Sequence, residues 1–493
     1  MKTQTALKPA RIAALLAAMT AASLTPGFAA TLYWDGETSA DWNALTNWST
    51  ASDATTPNPA AVPTAADDVV FNISTLNANV ATTANSSMSA NSLTFNNTGT
   101  SRISSNSSTS RDFLLGAGGI TANSGAGTVN LGNTSATVRF GITASQAWTN
   151  HSTSNIVLQN AGGAANTGTG AVTLTISNTS TGQMSFNNAL QDGTAGRVLS
   201  LVINSSGTGA TNLATNSNHS YSGGTTIQRG IFQSSSYVIG TGNVTIDAAT
   251  NNTATLRLNV GTYTTGTAPN QIITNHPVNN TLIAGASGGT NHLEFVHASN
   301  SINYSGDIIL NGNLNVGVRN ITGGATLSGD ITGNGSLIKG QYQATNSVGL
   351  LTIAGDAAHR GNTTINNGAF TLAEAGSLTF YIGANGVSNQ VNGTTAGLVT
   401  FNGSFNFNFS NADASEGNSW ELVTVSNKAY GDNFSISGFS YDESENLWVN
   451  GGWAFDQSSG ILTYAIPEPA SFAALAGAGL LGLALMRRKR RSV

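Results

Sequence analysis

Tyr221-Ser222-Gly223-Gly224-Thr225-Thr226-Ile227-Gln228-Arg229-Gly230-Ile231-Phe232 decides the fold, because the chain says it twice. The second copy is His359-Arg360-Gly361-Asn362-Thr363-Thr364-Ile365-Asn366-Asn367-Gly368-Ala369-Phe370. Leu213 and Leu351 correspond ahead of the two copies. The unit reads as a turn on Gly, a Thr-Thr-Ile strand, a second turn on Gly230 or Gly368, and another short strand. Glycine suits such corners because it reaches positive φ without steric cost. Stacked units of this kind are expected to place Ile227 and Ile365 in one interior ladder and Phe232 and Phe370 in another.

Outward from the repeat, hydrophobic periodicity stays at two. Val172, Leu174 and Ile176 alternate with Thr173 and Thr175; Val244 and Ile246 flank Thr245; Leu314 and Val316 flank Asn315; Leu351 and Ile353 flank Thr352. These are short strands with one buried face, bounded by Gly and Asn that accept turn conformations. No helical stripe interrupts residues 31–466, so the body is expected to be all-β. At about 20–25 residues per coil, residues 121–400 correspond to roughly a dozen coils of a solenoid. Asn and Thr facing inward at the corners are expected to form hydrogen-bonded ladders. A tandem of β-sandwiches is the competing architecture, but it normally needs longer strands and more Pro-containing connections, and Pro numbers only 9.

The Gly-x-Thr-Thr-Ile unit resembles the passenger-associated repeat of autotransporter-like proteins, clearest at 213–233 and 351–371. Residues 327–339, with Ser328-Gly329-Asp330-Ile331 and Gly333-Asn334-Gly335-Ser336-Leu337, look like the run-up to such a repeat. The resemblance implies a right-handed parallel β-helix. It does not imply autotransport, which needs a terminal transmembrane β-barrel; this chain ends in an apolar stretch, a basic cluster and Val493.

The flanks of the body differ from its middle. Leu32-Tyr33-Trp34-Asp35-Gly36, Trp42, Trp48 and Asp67-Asp68-Val69-Val70 mark an atypical β cap over 30–120, and Trp420, Trp448 and Trp453 mark another over 401–466. Solenoids need such terminal units, because an open end exposes core and unpaired strand edges. These tryptophans are read as cap core rather than as sugar-stacking surfaces, since large aromatics are usually buried.

Both termini carry addresses. Lys2, Lys8 and Arg11 precede an apolar stretch, and Gly27-Phe28-Ala29 places small residues where a signal peptidase inspects them. Residues 1–29 therefore read as a signal peptide for Sec export, cleaved after Ala29 or Ala30. At the other end Pro467-Glu468-Pro469 precedes the uncharged residues 470–486 and the cluster Arg487-Arg488-Lys489-Arg490-Arg491. Seventeen such residues rise roughly 26 Å as a helix, enough for a single transmembrane helix in a thin bilayer. The basic cluster stays on the cytoplasmic side. An ordinary tail anchor needs the same helix and charges but no Pro-Glu-Pro. Residues 467–493 resemble the PEP-CTERM sorting signal of Gram-negative bacteria. The resemblance implies recognition by exosortase, transient anchoring in the inner membrane, and a mature protein at the cell surface or in the extracellular matrix.

Composition narrows the chemistry. Charged residues are 8% of the chain, Gly numbers 57 and Cys is absent, so no disulfide holds this exported protein. A hydrophobic fraction of 39% is too high for a disordered stalk. Residues 31–466 hold ten Lys plus Arg against twenty-two Asp plus Glu, a formal charge of −12, which argues against nucleic-acid binding, since that would need a basic stripe. Polysaccharide lyases and hydrolases need clustered carboxylates, often with Arg, Lys or a metal, and the acids here are scattered. Asp67-Asp68 sits in the opening cap. His292, Glu294 and His297 lack a metal-site spacing, since alternation puts His297 on the opposite face. Gly116-Ala117-Gly118-Gly119 lacks the following helix that a phosphate cradle needs. No catalytic, cofactor or metal site is expected. The chain reads as a non-enzymatic, adhesion-like surface solenoid, with extracellular polysaccharide as the partner considered. The alternative is a β-helix that binds or degrades polysaccharide.

Overall fold

The computed structural model describes residues 29–465 apart from 53–54, 73–80, 85, 106–110, 133–137, 160–163, 195, 214–218, 236–237, 261–262, 266–271, 275–276, 297–300, 320–323, 341–348 and 395–396. Among the described residues the protein is a right-handed all-β solenoid whose helical content is one 3₁₀ turn, Leu45–Asn47. One coil shows the plan. Gln146–Asn150 lies on a first face, Ile156–Leu158 on a second and Ala164–Asn166 on a third; Val172–Asn178 then returns to the first face, parallel to Gln146–Asn150. Three faces mean three corners per coil, and the abundance of Gly and Asn follows from that count.

The first face is an unbroken parallel ladder from Thr31–Trp34 through Val172–Asn178 and Ile308–Leu310 to Ser435–Ile436. It makes about 11 turns between residues 121 and 400, close to the dozen expected. The step is uneven. Thr225 pairs with Val244 only a short way on, whereas Val244 pairs with Leu282 across an inserted antiparallel hairpin, Tyr263–Thr265 with Ile272–Thr274.

Alternation builds the core. Every second residue of Val172–Asn178 is buried, and parallel register stacks these residues into columns at the strand spacing of about 4.8 Å. On the first face Trp148, Ile176, Ile203, Ile227, Ile246, Ala284 and Leu310 succeed one another. On the second, Phe232, Leu256, Leu293, Val316, Lys339 and Ile365 do so. On the third the column is Tyr304, Leu327, Ile353, Leu372, Phe401 and Tyr430.

These columns correct the expected stacking of the repeat. Ile227 belongs to the first face and Ile365 to the second, where it lies in the column of Phe232; Phe370 belongs to the third, between Leu351 and Val399. The two copies are rotated by one face. Each corner of a three-sided coil asks for the same Gly-then-strand chemistry, so similar sequence at two corners does not identify the same corner.

Polar groups inside the coils are held at the corners. The buried Asn150, Asn166 and Asn178 donate to the carbonyls of Ser154 (2.9 Å), Gly170 (2.7 Å) and Gly209 (3.2 Å). Asn150 and Asn178 are stacked in register, but their amides bond to corner carbonyls rather than to each other. The regular threonine column faces outward instead: Thr326, Thr352, Thr371 and Thr400 are consecutive on the third face. Lys339 lies within a core column. Its ammonium bends to the carbonyls of Asn367 (3.1 Å) and Gly340 (3.4 Å), and burial lowers its pKa to about 8.

Both ends are closed. Trp48–Ser49 pairs antiparallel with the outer edge of Thr31–Trp34, and Trp34, Trp42, Trp48 and Phe113 pack edge-to-face at centroid distances of 4.7–5.3 Å. At the other end a five-stranded antiparallel sheet spans Ser419–Glu421 and the strands from Ser440–Asp442 to Ile461–Tyr464. Trp34, Trp42, Trp48 and Trp420 are buried, whereas Trp448 and Trp453 are half-buried. Among the described residues no helix is long and apolar enough to cross a membrane; the expected transmembrane helix at 470–486 lies outside the described residues.

Candidate functional site

The sorting residues Pro467, Glu468 and Pro469, the cluster Arg487, Arg488, Lys489, Arg490 and Arg491, and Gly27 and Phe28 of the signal-peptidase region all lie outside the described residues. What the structure does place is their neighbours. Ile461–Tyr464 is a strand of the closing sheet, and the Ala465 amide donates to Gly452 O at 2.8 Å. One residue, Ile466, stands in the sequence between this last hydrogen-bonded position and Pro467. At the front, Ala29 is exposed and Ala30 leads directly into the first strand.

The carboxylates singled out from the sequence are occupied structurally. Asp67 accepts from the Thr64 hydroxyl (2.7 Å), the Thr64 amide (2.9 Å) and the Ala30 amide (3.0 Å). Partial burial would raise its pKa, but these hydrogen bonds outweigh it and hold the carboxyl below its usual value. Asp68 accepts from Asn91 Nδ2 at 2.8 Å and the Ser92 hydroxyl at 2.6 Å. Glu294 is nearly buried beside Arg257, whose Nε donates to it at 2.8 Å. His292 shares its outward face, and burial lowers that imidazole's pKa against the opposing pull of Glu294. His297 lies outside the described residues. Among the described residues no three His, Cys, Asp or Glu side chains are placed to share a metal ion.

A groove that the sequence reading passed over opens at the C-terminal end. It has a volume of about 740 Å³ and lies between Lys428, Tyr430, Tyr441, Asn446, Asp456 and Gln457. Tyr441 is 43% exposed and leans on Trp448 with centroids 5.3 Å apart; Trp448 meets Phe434 at 5.6 Å, and Phe434 meets Tyr430 at 4.6 Å. This aromatic file anchors the exposed ring to the end of the core. Asp456 accepts from the Ser458 amide (2.8 Å) and hydroxyl (2.7 Å), which fixes the turn forming one wall. The Tyr430 hydroxyl and Trp448 Nε1 are buried and meet no hydrogen-bonding partner among the described residues. Burial, and then the charge of Asp456, push the Tyr430 hydroxyl pKa upward, so it is a neutral donor. An exposed ring face beside amide and carboxylate acceptors suits a ligand with both C–H faces and hydroxyls. The acid-rich Tyr441-Asp442-Glu443-Ser444-Glu445-Asn446 between strand patterns was the available sequence signal.

No curated protein and no solved structure matches the chain. Residues 465–491 match the family model described as the PEP-CTERM protein-sorting motif, and that motif implies recognition by exosortase and export.

Proposed function

We propose that the mature protein is a non-enzymatic, adhesion-type structural solenoid of the cell surface or extracellular matrix. It is exported through Sec and sorted at the inner membrane by exosortase. The observation that supports this reading is the sorting motif matched at 465–491, abutting the closing sheet of a long solenoid. A rod of stacked coils capped at both ends offers a large outer surface, which suits a scaffold. Intact-mass analysis of the surface-exposed protein from the native host tests the sorting step. The expected mass lacks residues 470–493. A surface form that retains them leaves an ordinary membrane anchor and overturns the reading.

A second reading, glycan binding, is favoured by the groove at Tyr441. A neutral oligosaccharide could lay a C–H face on the exposed ring and direct hydroxyls to Asn446 and Gln457. A glycan panel on the mature protein is expected to give saturable binding, weakened about tenfold or more by Tyr441→Ala, with no product released. Absence of binding removes this reading. Product release abolished by Asp67→Asn, Asp68→Asn or Glu294→Gln would move the protein to the enzyme class.

A further inference from the structure

We infer that signal-peptide removal occurs between Ala29 and Ala30, and that the α-ammonium it creates on Ala30 forms an ion pair with Asp67. The inference rests on the export reading and deepens it by choosing one of two cleavage positions and assigning the new terminus a partner.

The geometry around Ala30 is built before cleavage. Its amide nitrogen lies 3.0 Å from Asp67 Oδ1, and its carbonyl accepts the Asp68 amide at 2.8 Å. Asp67 Oδ2 is held by the Thr64 amide (2.9 Å) and hydroxyl (2.7 Å), so the carboxylate is aimed at the Ala30 nitrogen by a turn that also closes through Asp67 N–H to Thr64 O at 3.1 Å. Thr31 then pairs in parallel register with Asp68, which makes Ala30 the first residue the body holds from both sides. Ala29 is exposed.

Hydrolysis places the hydroxyl of water on the Ala29 carbonyl carbon and its hydrogen on the departing Ala30 nitrogen, which takes a further proton at neutral pH. A neutral N–H···carboxylate contact thereby becomes a charge-assisted one at the same atoms. Cleavage one bond later would discard Ala30 together with both hydrogen bonds. It would also put Phe28 rather than Gly27 at the third position before the cut, where small residues are required. The nearby carboxylate, Asp68, is engaged by Asn91 and Ser92, so Asp67 is the group that faces the new charge.

The test uses the mature protein secreted from a Gram-negative host with its own signal sequence. Intact mass and N-terminal sequencing are expected to give a chain beginning at Ala30. In that protein the α-amino group is expected to titrate above its ordinary range of about 7.7–8.0, followed by NMR with the terminal alanine labelled. Asp67→Asn should return it to that range. A form extended to begin at Ala29 should lose about 1–2 °C in thermal midpoint, and that difference should vanish in the Asp67→Asn background. A mature chain that begins at Thr31, or an α-amino group with an ordinary pKa in the wild type, overturns the inference while leaving export intact. A chain that is never cleaved would instead defeat the export reading.

Discussion

Gly335→Ala is expected to destabilise the mature protein by about 3 kcal/mol or more, a loss as large as that of a buried core side chain. A Cβ built on Gly335 falls 2.0 Å from Gly312 O and 2.4 Å from Gly312 C, backbone atoms of the preceding coil that no rotamer change can move. The position is one step of a corner column. A Cβ on Gly312 would meet Gly285 O at 2.2 Å, and one on Gly361 would meet Gly335 O at 2.4 Å. Relief requires opening the spacing between coils, which stretches hydrogen bonds such as Gly335 N–H to Leu310 O at 2.7 Å. Gly340 is the control, since among the described residues a Cβ there meets nothing within 4 Å; Gly340→Ala should stay within about 0.5 kcal/mol of the wild type. Denaturant titration followed by circular dichroism reads both. Equal midpoints for the two variants would show that the coils are not in backbone contact at this corner.

That column also marks what the sequence revealed and what it withheld. Strand, corner and alternation were legible, because Thr-Thr-Ile bounded by Gly states a local preference that nothing in the solenoid overrides. The face on which each strand sits was not. Ile227 and Ile365 occupy different faces because coil length varies: the Val244-to-Leu282 step accommodates a hairpin, and a local motif cannot count such insertions. The residues that do share a corner, Gly306, Gly329 and Gly355, sit in segments resembling one another only as Ser-Gly or Ala-Gly before Asp, too little to align unaided. Lys339 shows the same limit from another side. Its alternation places it inward, while its charge favours solvent; a long stem that reaches corner carbonyls reconciles the two. Of the acids weighed in the sequence, Glu294 is paired with Arg257, and Asp68 accepts from Asn91 and Ser92. The groove at Tyr441 escaped notice because its walls come from the end of a coil, a hairpin and a turn that meet only in the fold.

Two interior imidazoles should make the solenoid acid-labile. His219 and His359 are 0% and 2% exposed. His219 Nδ1 accepts the Leu190 amide at 3.2 Å, which leaves the proton on Nε2, and Nε2 meets no partner among the described residues. His359 Nε2 shares a hydrogen bond with the Thr363 hydroxyl at 3.1 Å, and the Asn362 backbone pulls its pKa up against the larger effect of burial. Burial lowers the pKa of each to about 4 in the folded protein, while the unfolded chain titrates near 6.5. Between those values the unfolded state binds more protons, so stability rises with pH across the window. The contribution is fully present above about pH 6.5 and lost as pH falls towards 4, at about 3 kcal/mol for each imidazole. The thermal midpoint is therefore expected to drop steeply from pH 6.5 to pH 4. His219→Asn keeps an acceptor for the Leu190 amide, and His359→Gln keeps a partner for Thr363, but neither side chain titrates. Each variant should remove about half of the slope that the pair causes, and the double variant nearly all of it, whatever its stability at neutral pH. A midpoint that falls equally steeply in the double variant would assign the acid sensitivity to carboxylates such as Asp67 and Asp456, whose folded-state hydrogen bonds are surrendered only at lower pH.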